Sequence, residues 1–251
     1  MKLRLAHLYP RRMNIYGDRG NIMSLARRAE WRGITLVVDE VEAGAKTDVS
    51  NHDLFFFGGG QDQQQGPVAR DLQARADDLK AALAAGAALL AVCGGYQLLG
   101  RYYQPAVRAA ENSAETPERL AGLGVFPAYT EAGSRRLIGN VVAAPALPEL
   151  GRQPLVGFEN HSGLTRLDEG AQALAQARTG FGNNGEDGTE GCVAGNAVGT
   201  YLHGSLLPKN PHLADWLLRK ALLKHGPDAR LEKLDDTMED IANKIIVERF
   251  S

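Results

Sequence analysis

Three short stretches set reactive side chains beside glycine. "AVCGGYQ" (91–97) ends an apolar run in Cys93 and follows it at once with Gly94 and Gly95. A thiol on a sharp turn between a buried strand and a helix is held out of the sheet, with backbone N–H groups close by, as in the nucleophile elbows of hydrolases. A helix start lowers a thiol pKa and offers donors for an oxyanion. The plain alternative is a buried structural cysteine before an ordinary glycine turn. "FFFGGGQDQQQ" (55–65) ends a second apolar run in three glycines, a candidate for the other half of an oxyanion hole. No Gly-Lys-Ser/Thr follows, which argues against a phosphate-binding loop. "GTYLHGSLLPKN" (199–210) puts His203 at the end of an apolar segment, as a candidate general base for Cys93. Their separation in sequence is no obstacle, because such pairs assemble in space. Five other histidines compete for the role: His7, His52, His161, His212 and His225.

Two further stretches are ambiguous. In "VGFENHSGLTR" (156–166), Glu159, Asn160 and His161 form either a polar site wall or a solvated hairpin end. In "GSRRLIGN" (133–140), Arg135 and Arg136 either hold a carboxylate bidentately or mark a solvated strand edge. No Cys-x-x-Cys, His-x-x-x-His or Asp-x-Asp cluster is present, so no metal site is expected.

The elements that must position these residues follow from periodicity. Residues 2–9 alternate apolar and polar, as a strand does, and 34–41 are β-branched and strand-like. Residues 52–60 and 87–95 are short buried strands. Helical spacing covers 20–33 and 69–86, with Gly33 and Gly86 as stops. Such alternation predicts an α/β sandwich with a mainly parallel sheet. Beyond Gly122 the spacing predicts short strands in a turn-rich half, then amphipathic helices over 213–226 and 238–250. The organisation expected is one domain, 1–251, with a C-terminal helical segment over about 211–251.

Bulk properties narrow the function. The chain has 251 residues and a formal net charge of −2, so no global charge points to nucleic acid or an anionic membrane. Glycine is abundant (29 residues) while proline is not (11), which indicates tight turns rather than disorder. Two cysteines, Cys93 and Cys192, make no disulfide framework and fit a reducing compartment. The first residues lack a sustained apolar run, and the longest such run (81–93) is too short for a bilayer. A cytoplasmic chain without membrane insertion is expected.

Together, "FFFGGGQD", "AVCGGYQLLG", "GFENHSG" and "TYLHGSLLPKN" resemble class I (triad-type) glutamine amidotransferases of the branch related to cobyric acid synthase. With "NIYGDRGNI" (14–22), "GLGVF" (122–126), "RLIGN" (136–140) and "GNN" (182–184), the chain resembles the small glutaminase subunits of lipid II isoglutaminyl synthase. The resemblance implies a flavodoxin-like α/β sandwich. It implies Cys93 as nucleophile, His203 as base and Arg136 as the arginine that binds glutamine. It adds Gln97 to the pocket, and Gly59 and Gly94 N–H groups to the oxyanion hole. The implied partner is a Mur-ligase-like subunit in a heterodimer. That subunit would carry ATP and Mg²⁺ and act on lipid II, leaving no cofactor in this chain.

One position departs from the wider class, which carries a glutamate two residues after the histidine. Ser205 stands there. The acid that orients the imidazole is then another acid of this chain, or absent. The subunit resemblance implies an aspartate of the partner. Two rival readings stay open: a glutaminase serving another ATP-dependent synthetase of cobyrinate type, and a non-catalytic binding module on the same fold.

Overall fold

A computed structural model describes residues 1–15, 17–60, 62–106 and 118–250. Tyr16 and Gln61, which fall inside two of the motifs above, lie outside the described residues. The chain runs β1 (Lys2–Leu8), α1 (Arg19–Glu30), β2 (Thr35–Val41), β3 (Leu54–Phe57), α2 (Asp62–Ala74), α3 (Ala76–Ala84), β4 (Ala88–Val92), α4 (Gly94–Leu99), β5 (Tyr102–Gln104) and β6 (Leu120–Ala121). It continues with β7 (Ala128–Pro145), β8 (Leu155–Leu167), β9 (Ala175–Thr179), β10 (Thr189–Glu190), β11 (Cys192–Ala194), β12 (Ala197–Thr200), α5 (Pro211–Leu223) and α6 (Thr237–Phe250).

One sheet has the order β11-β12-β4-β3-β1-β2. Every pairing in it is parallel except β11 with β12. Phe55, Phe56 and Phe57 are all fully buried. Successive strand side chains point to opposite faces, so both faces of β3 are covered, and the apolar run is continuous rather than alternating. α5 packs over β3 and β4 with α1 beside it. Arg28, 2% exposed, ties these helices by donating from Nε to Asp215 (2.7 Å) and from Nη1 to Asp236 (2.6 Å). The register brings Leu8 opposite Phe57, Phe57 opposite Ala91 and Thr200 opposite Val92. The carboxyl ends of β1, β3, β4 and β12 are therefore level. This is the edge at which open α/β sheets present their sites.

The second sheet, β10-β9-β7-β5-β6 with β8 on β7, corrects the expectation of short strands. β7 and β8 span 18 and 13 residues as one long antiparallel hairpin. A register shift between Ala132 and Leu137 lets a glycine-containing segment bend without ending the strand. The helix expected over 69–86 is also different. It starts at Asp62 and breaks at Arg75, whose side chain turns inward onto Asp71 and the carbonyls of Glu42, Ala45 and Thr47. Satisfying a loop of carbonyls outweighs continuing the helix. Among the described residues no helix is long and apolar enough to cross a membrane.

Candidate active site

Cys93 sits at the tip of β4 with φ 50° and ψ −108°, a conformation costly for a residue with a Cβ. Its N–H donates to Thr200 O at the end of β12 (2.8 Å), and its carbonyl accepts the Gln97 N–H (2.9 Å). The two glycines after it are required by packing against the β3 turn. A Cβ on Gly95 would lie 2.5 Å from Phe57 O, and one on Gly94 would lie 3.1 Å from both Gly60 N and Gln65 Nε2.

His203 is fully buried beside Cys93. A two-way backbone bridge fixes it to the second sheet: its N–H donates to Phe158 O (2.7 Å), and Phe158 N–H donates to its carbonyl (3.3 Å). Burial opposes a charge on the imidazole. The Cys93 thiolate and the Asp18 carboxylate outweigh that and raise its pKa to about 10.

Asp18 is the residue that motif reading missed. It is fully buried and places Oδ1 3.4 Å from His203 Nδ1. Its other oxygen accepts the Gly59 N–H at 2.6 Å. Gly59 touches the same centre, since a Cβ there would lie 2.9 Å from His203 Cε1 and 3.4 Å from Cys93 Cβ. Its N–H is the one expected to serve the oxyanion hole. That donor is given to Asp18, so in this geometry it is not offered to a substrate oxygen. In the sequence it stands inside "NIYGDRGNI", where an aspartate just before a helix ordinarily reads as a helix cap.

Gln97, expected to line the pocket, is buried. Its amide is consumed inside the protein, where Nε2 donates to Tyr201 Oη (3.1 Å) and Oε1 accepts from Gln65 (2.9 Å). The chain of bonds continues from Tyr201 to Thr165 (2.6 Å) and Thr130 (2.7 Å). Tyr201 lies close enough to Cys93 that burial and the thiolate's charge together push its pKa well up. His161 stacks on Tyr201 with ring centroids 3.6 Å apart, and Nδ1 donates to Gly163 O (2.7 Å). Glu159 accepts the N–H groups of Phe181 (2.6 Å) and Gly182 (2.9 Å). "FENH" is thus largely a built-in support, not a solvated hairpin end.

The two arginines diverge. Arg136 is exposed and donates from Nε to Asn160 Oδ1 (3.0 Å), while Arg135 lies over the Phe181 ring. Asn160 is two residues from Phe158, the bridge partner of His203, so Arg136 reaches across from β7 to the strand that flanks the imidazole. Cys192 is fully buried, and burial pushes its thiol up to about 12, which leaves it unreactive. No cluster of metal-ligating side chains occurs among the described residues.

Residues 4–211 match the model of the CobB/CobQ-like glutamine amidotransferase domain. The chain belongs to that family. Its curated relatives include two subunits that it matches nearly end to end. The lipid II isoglutaminyl synthase (glutamine-hydrolyzing) subunit GatD of Staphylococcus aureus (strain N315) is 36% identical over 99% of this chain and 96% of its own length. The GatD subunit of Streptococcus pneumoniae (strain ATCC BAA-255 / R6) is 38% identical over 100% of this chain and 91% of its own. Cobyric acid synthase of Pelotomaculum thermopropionicum is 33% identical over 59% of this amidotransferase chain and only 29% of its own length. A solved glutamine amidotransferase superposes with a TM-score of 0.52 at 15% identity, covering 86% of this chain and 98% of that one. That likeness is one of fold, and the fold is the class I amidotransferase type that the motifs implied.

Proposed function

We propose that this chain is the glutaminase subunit of a lipid II isoglutaminyl synthase. It hydrolyses the side-chain amide of L-glutamine and hands the ammonia to a Mur-ligase-like partner. That partner carries ATP and Mg²⁺ and amidates the α-carboxyl of D-glutamate in the stem peptide of lipid II. The observation that carries the reading is the strained Cys93 set against a buried, charged His203, in a chain matched end to end by two GatD subunits.

The chemistry runs as follows. Glutamine binds with its α-carboxylate at Arg136. The Cys93 thiolate adds to the amide carbon, and the Gly94 N–H is the donor assigned to the oxygen that becomes negative. The His203 imidazolium gives its proton to the amide nitrogen, the C–N bond breaks and ammonia leaves. A γ-glutamyl thioester remains. Neutral His203 then takes a proton from water, the hydroxide adds to the thioester, and the C–S bond breaks to release glutamate and restore the ion pair.

The test has two arms. Ammonia release from glutamine is measured with wild-type chain and Cys93→Ala, alone and with the ligase subunit; turnover retained by Cys93→Ala would refute the hydrolytic role. Lipid II incubated with both subunits, ATP, Mg²⁺ and glutamine is examined by mass spectrometry. Conversion of a stem carboxyl to a carboxamide supports the acceptor assignment, and a modified cobyrinate with unmodified lipid II would move the chain to the other synthetase.

A further inference from the structure

Arg135 and Arg136 are neighbours in sequence with different anchors, and the sheet itself does not decide between them. The β7–β8 ladder is interrupted between Ala132, opposite Gly163, and Leu137, opposite His161, so residues 133–136 face Ser162 alone. A side chain on such an unpaired stretch has no directly opposed neighbour to set its rotamer. Both arginines are exposed, and among the described residues neither pairs with a carboxylate. Arg135 lies against the face of Phe181, with its guanidinium carbon 5.4 Å from the ring centroid. Arg136 is held by one residue through two carbonyls. Its Nε donates to the side-chain oxygen of Asn160 (3.0 Å), and its Nη2 donates to the backbone oxygen of the same residue (3.5 Å).

A guanidinium is a planar fork of N–H donors, and either of two edges can match a carboxylate. Asn160 takes the side-on edge, formed by Nε and Nη2. The end-on edge, formed by Nη1 and Nη2, keeps donors for a second ligand, and two parallel N–H···O bonds to one carboxylate are the strong arrangement there. A neutral amide suits that purpose. An aspartate would accept from Nε equally well, but it would cancel the positive charge that an incoming anion needs. The anchor also belongs to the catalytic edge. Asn160 lies on β8 two residues from Phe158, whose backbone bridges His203 in both directions, so one short stretch of strand places both the guanidinium and the imidazole.

We propose that Asn160 is the positioning residue of Arg136: it occupies the side-on edge of the guanidinium and so presents the end-on edge to the α-carboxylate of glutamine. This deepens the glutaminase reading and rests on it for the ligand, though not for the geometry. Fixing a rotamer-rich side chain before its ligand arrives is worth roughly 2- to 10-fold in affinity. The site is thereby selective for a free α-carboxylate, and glutamine whose carboxyl is blocked is a poor substrate.

The full chain with its ligase subunit is assayed for ammonia release from L-glutamine and from L-glutamine α-amide, in which the carboxylate is replaced by a carboxamide. Asn160→Ala should raise KM for glutamine roughly 2- to 10-fold and leave kcat nearly unchanged, because binding common to substrate and transition state is what it removes. Asn160→Asp keeps the bond to Nε but neutralises the guanidinium, so it should raise KM about 10-fold or more. Being isosteric, it keeps the test intact should Asn160→Ala not fold. Neither variant should lower kcat/KM for the α-amide by more than about twofold, since that substrate brings no charge to the anchor. On an Arg136→Ala background, Asn160→Ala should add almost nothing, as a double-mutant cycle requires of coupled residues. Equal losses on glutamine and its α-amide, an unchanged KM in Asn160→Asp, or an effect of Asn160→Ala that survives without Arg136 would overturn the proposal. The Nε–H signal of Arg136 in ¹⁵N spectra needs no turnover. It should exchange slowly with water in wild type and in Asn160→Asp, and rapidly in Asn160→Ala; identical exchange in all three would overturn the proposal as well. If wild type hydrolyses no glutamine while this signal behaves as expected, the glutaminase reading falls and the anchoring of Arg136 by Asn160 stands.

Discussion

At the scale of single residues, strain and charge are concentrated on a few atoms. Tyr9, Cys93 and Ser205 are the non-glycine residues at positive φ among the described residues, and two of the three belong to the site. Strain of this kind costs on the order of 1–3 kcal/mol and persists where function requires it. Cys93→Gly should therefore abolish ammonia release while raising the thermal midpoint. Relief of about 1 kcal/mol corresponds to roughly 2–4 °C for a chain of this size. Cys192→Ala should do the reverse, keeping activity and lowering the midpoint, because the fully buried side chain that is lost takes no part in the proposed reaction. Among the arginines, Arg136→Ala should raise KM for glutamine about 10- to 150-fold, the value of a lost charge-assisted bond of ~1.5–3 kcal/mol. Arg135→Ala should change KM much less. Equal effects would mean that the carboxylate is held elsewhere.

At the scale of elements, the site depends on two glycine turns packed backbone to backbone. Gly95 N–H donates to Gly58 O (3.2 Å), which ties the turn after β4 to the turn after β3. Gly95→Ala would drive its methyl into Phe57 O, a backbone atom that cannot step aside. Expected is a destabilisation of about 1–3 kcal/mol, measured by denaturant unfolding, with activity falling alongside. Gly139→Ala on β7 has nothing within 4 Å of the new methyl and should stay within about 0.5 kcal/mol. The apolar runs, their glycine stops and the reactive residues on them were legible in sequence, because a buried parallel strand and its turn leave a local signature. The β7–β8 hairpin was not, because a bulge absorbs Gly133 without ending the strand. Asp18 was not, because its partners lie 41 and 185 residues away and its local context is that of a helix cap.

At the scale of the whole molecule, buried titratable groups set how stability follows pH. Burial lowers the pKa of His7 from 6.5 to about 4, and that of His212 likewise. As pH falls through 6.5 the unfolded chain binds these protons first, so stability is lost between about 6.5 and 4. Glu190 acts in the opposite sense. Burial raises its carboxyl from 4.5 to about 7, despite bonds from Thr200 and the Tyr201 N–H. The unfolded chain releases that proton first as pH rises, so stability falls between 4.5 and 7 and is then level. Glu190→Gln, which mimics the protonated form, should raise the unfolding free energy above pH 7 and leave it nearly unchanged at pH 4. His7→Leu should flatten the acid limb. Unfolding curves collected from pH 4 to 8 check both signs.

The helices that frame the site also carry apolar side chains that nothing covers. α1 and the residue that caps its C-terminus present Met23 (62% exposed) and Trp31 (60%), and α6 presents Met238 (74%), Ile241 (47%) and Ile245 (56%). Met23, Trp31, Pro208 and Glu239 share one shallow hollow, so the two helices form a single surface. A formal charge of only −2 gives the free chain little long-range repulsion to oppose contact through it. The consequence is colloidal: attraction between copies should dominate in concentrated solution, giving a negative second virial coefficient in light scattering that Trp31→Lys turns toward zero without moving the thermal midpoint.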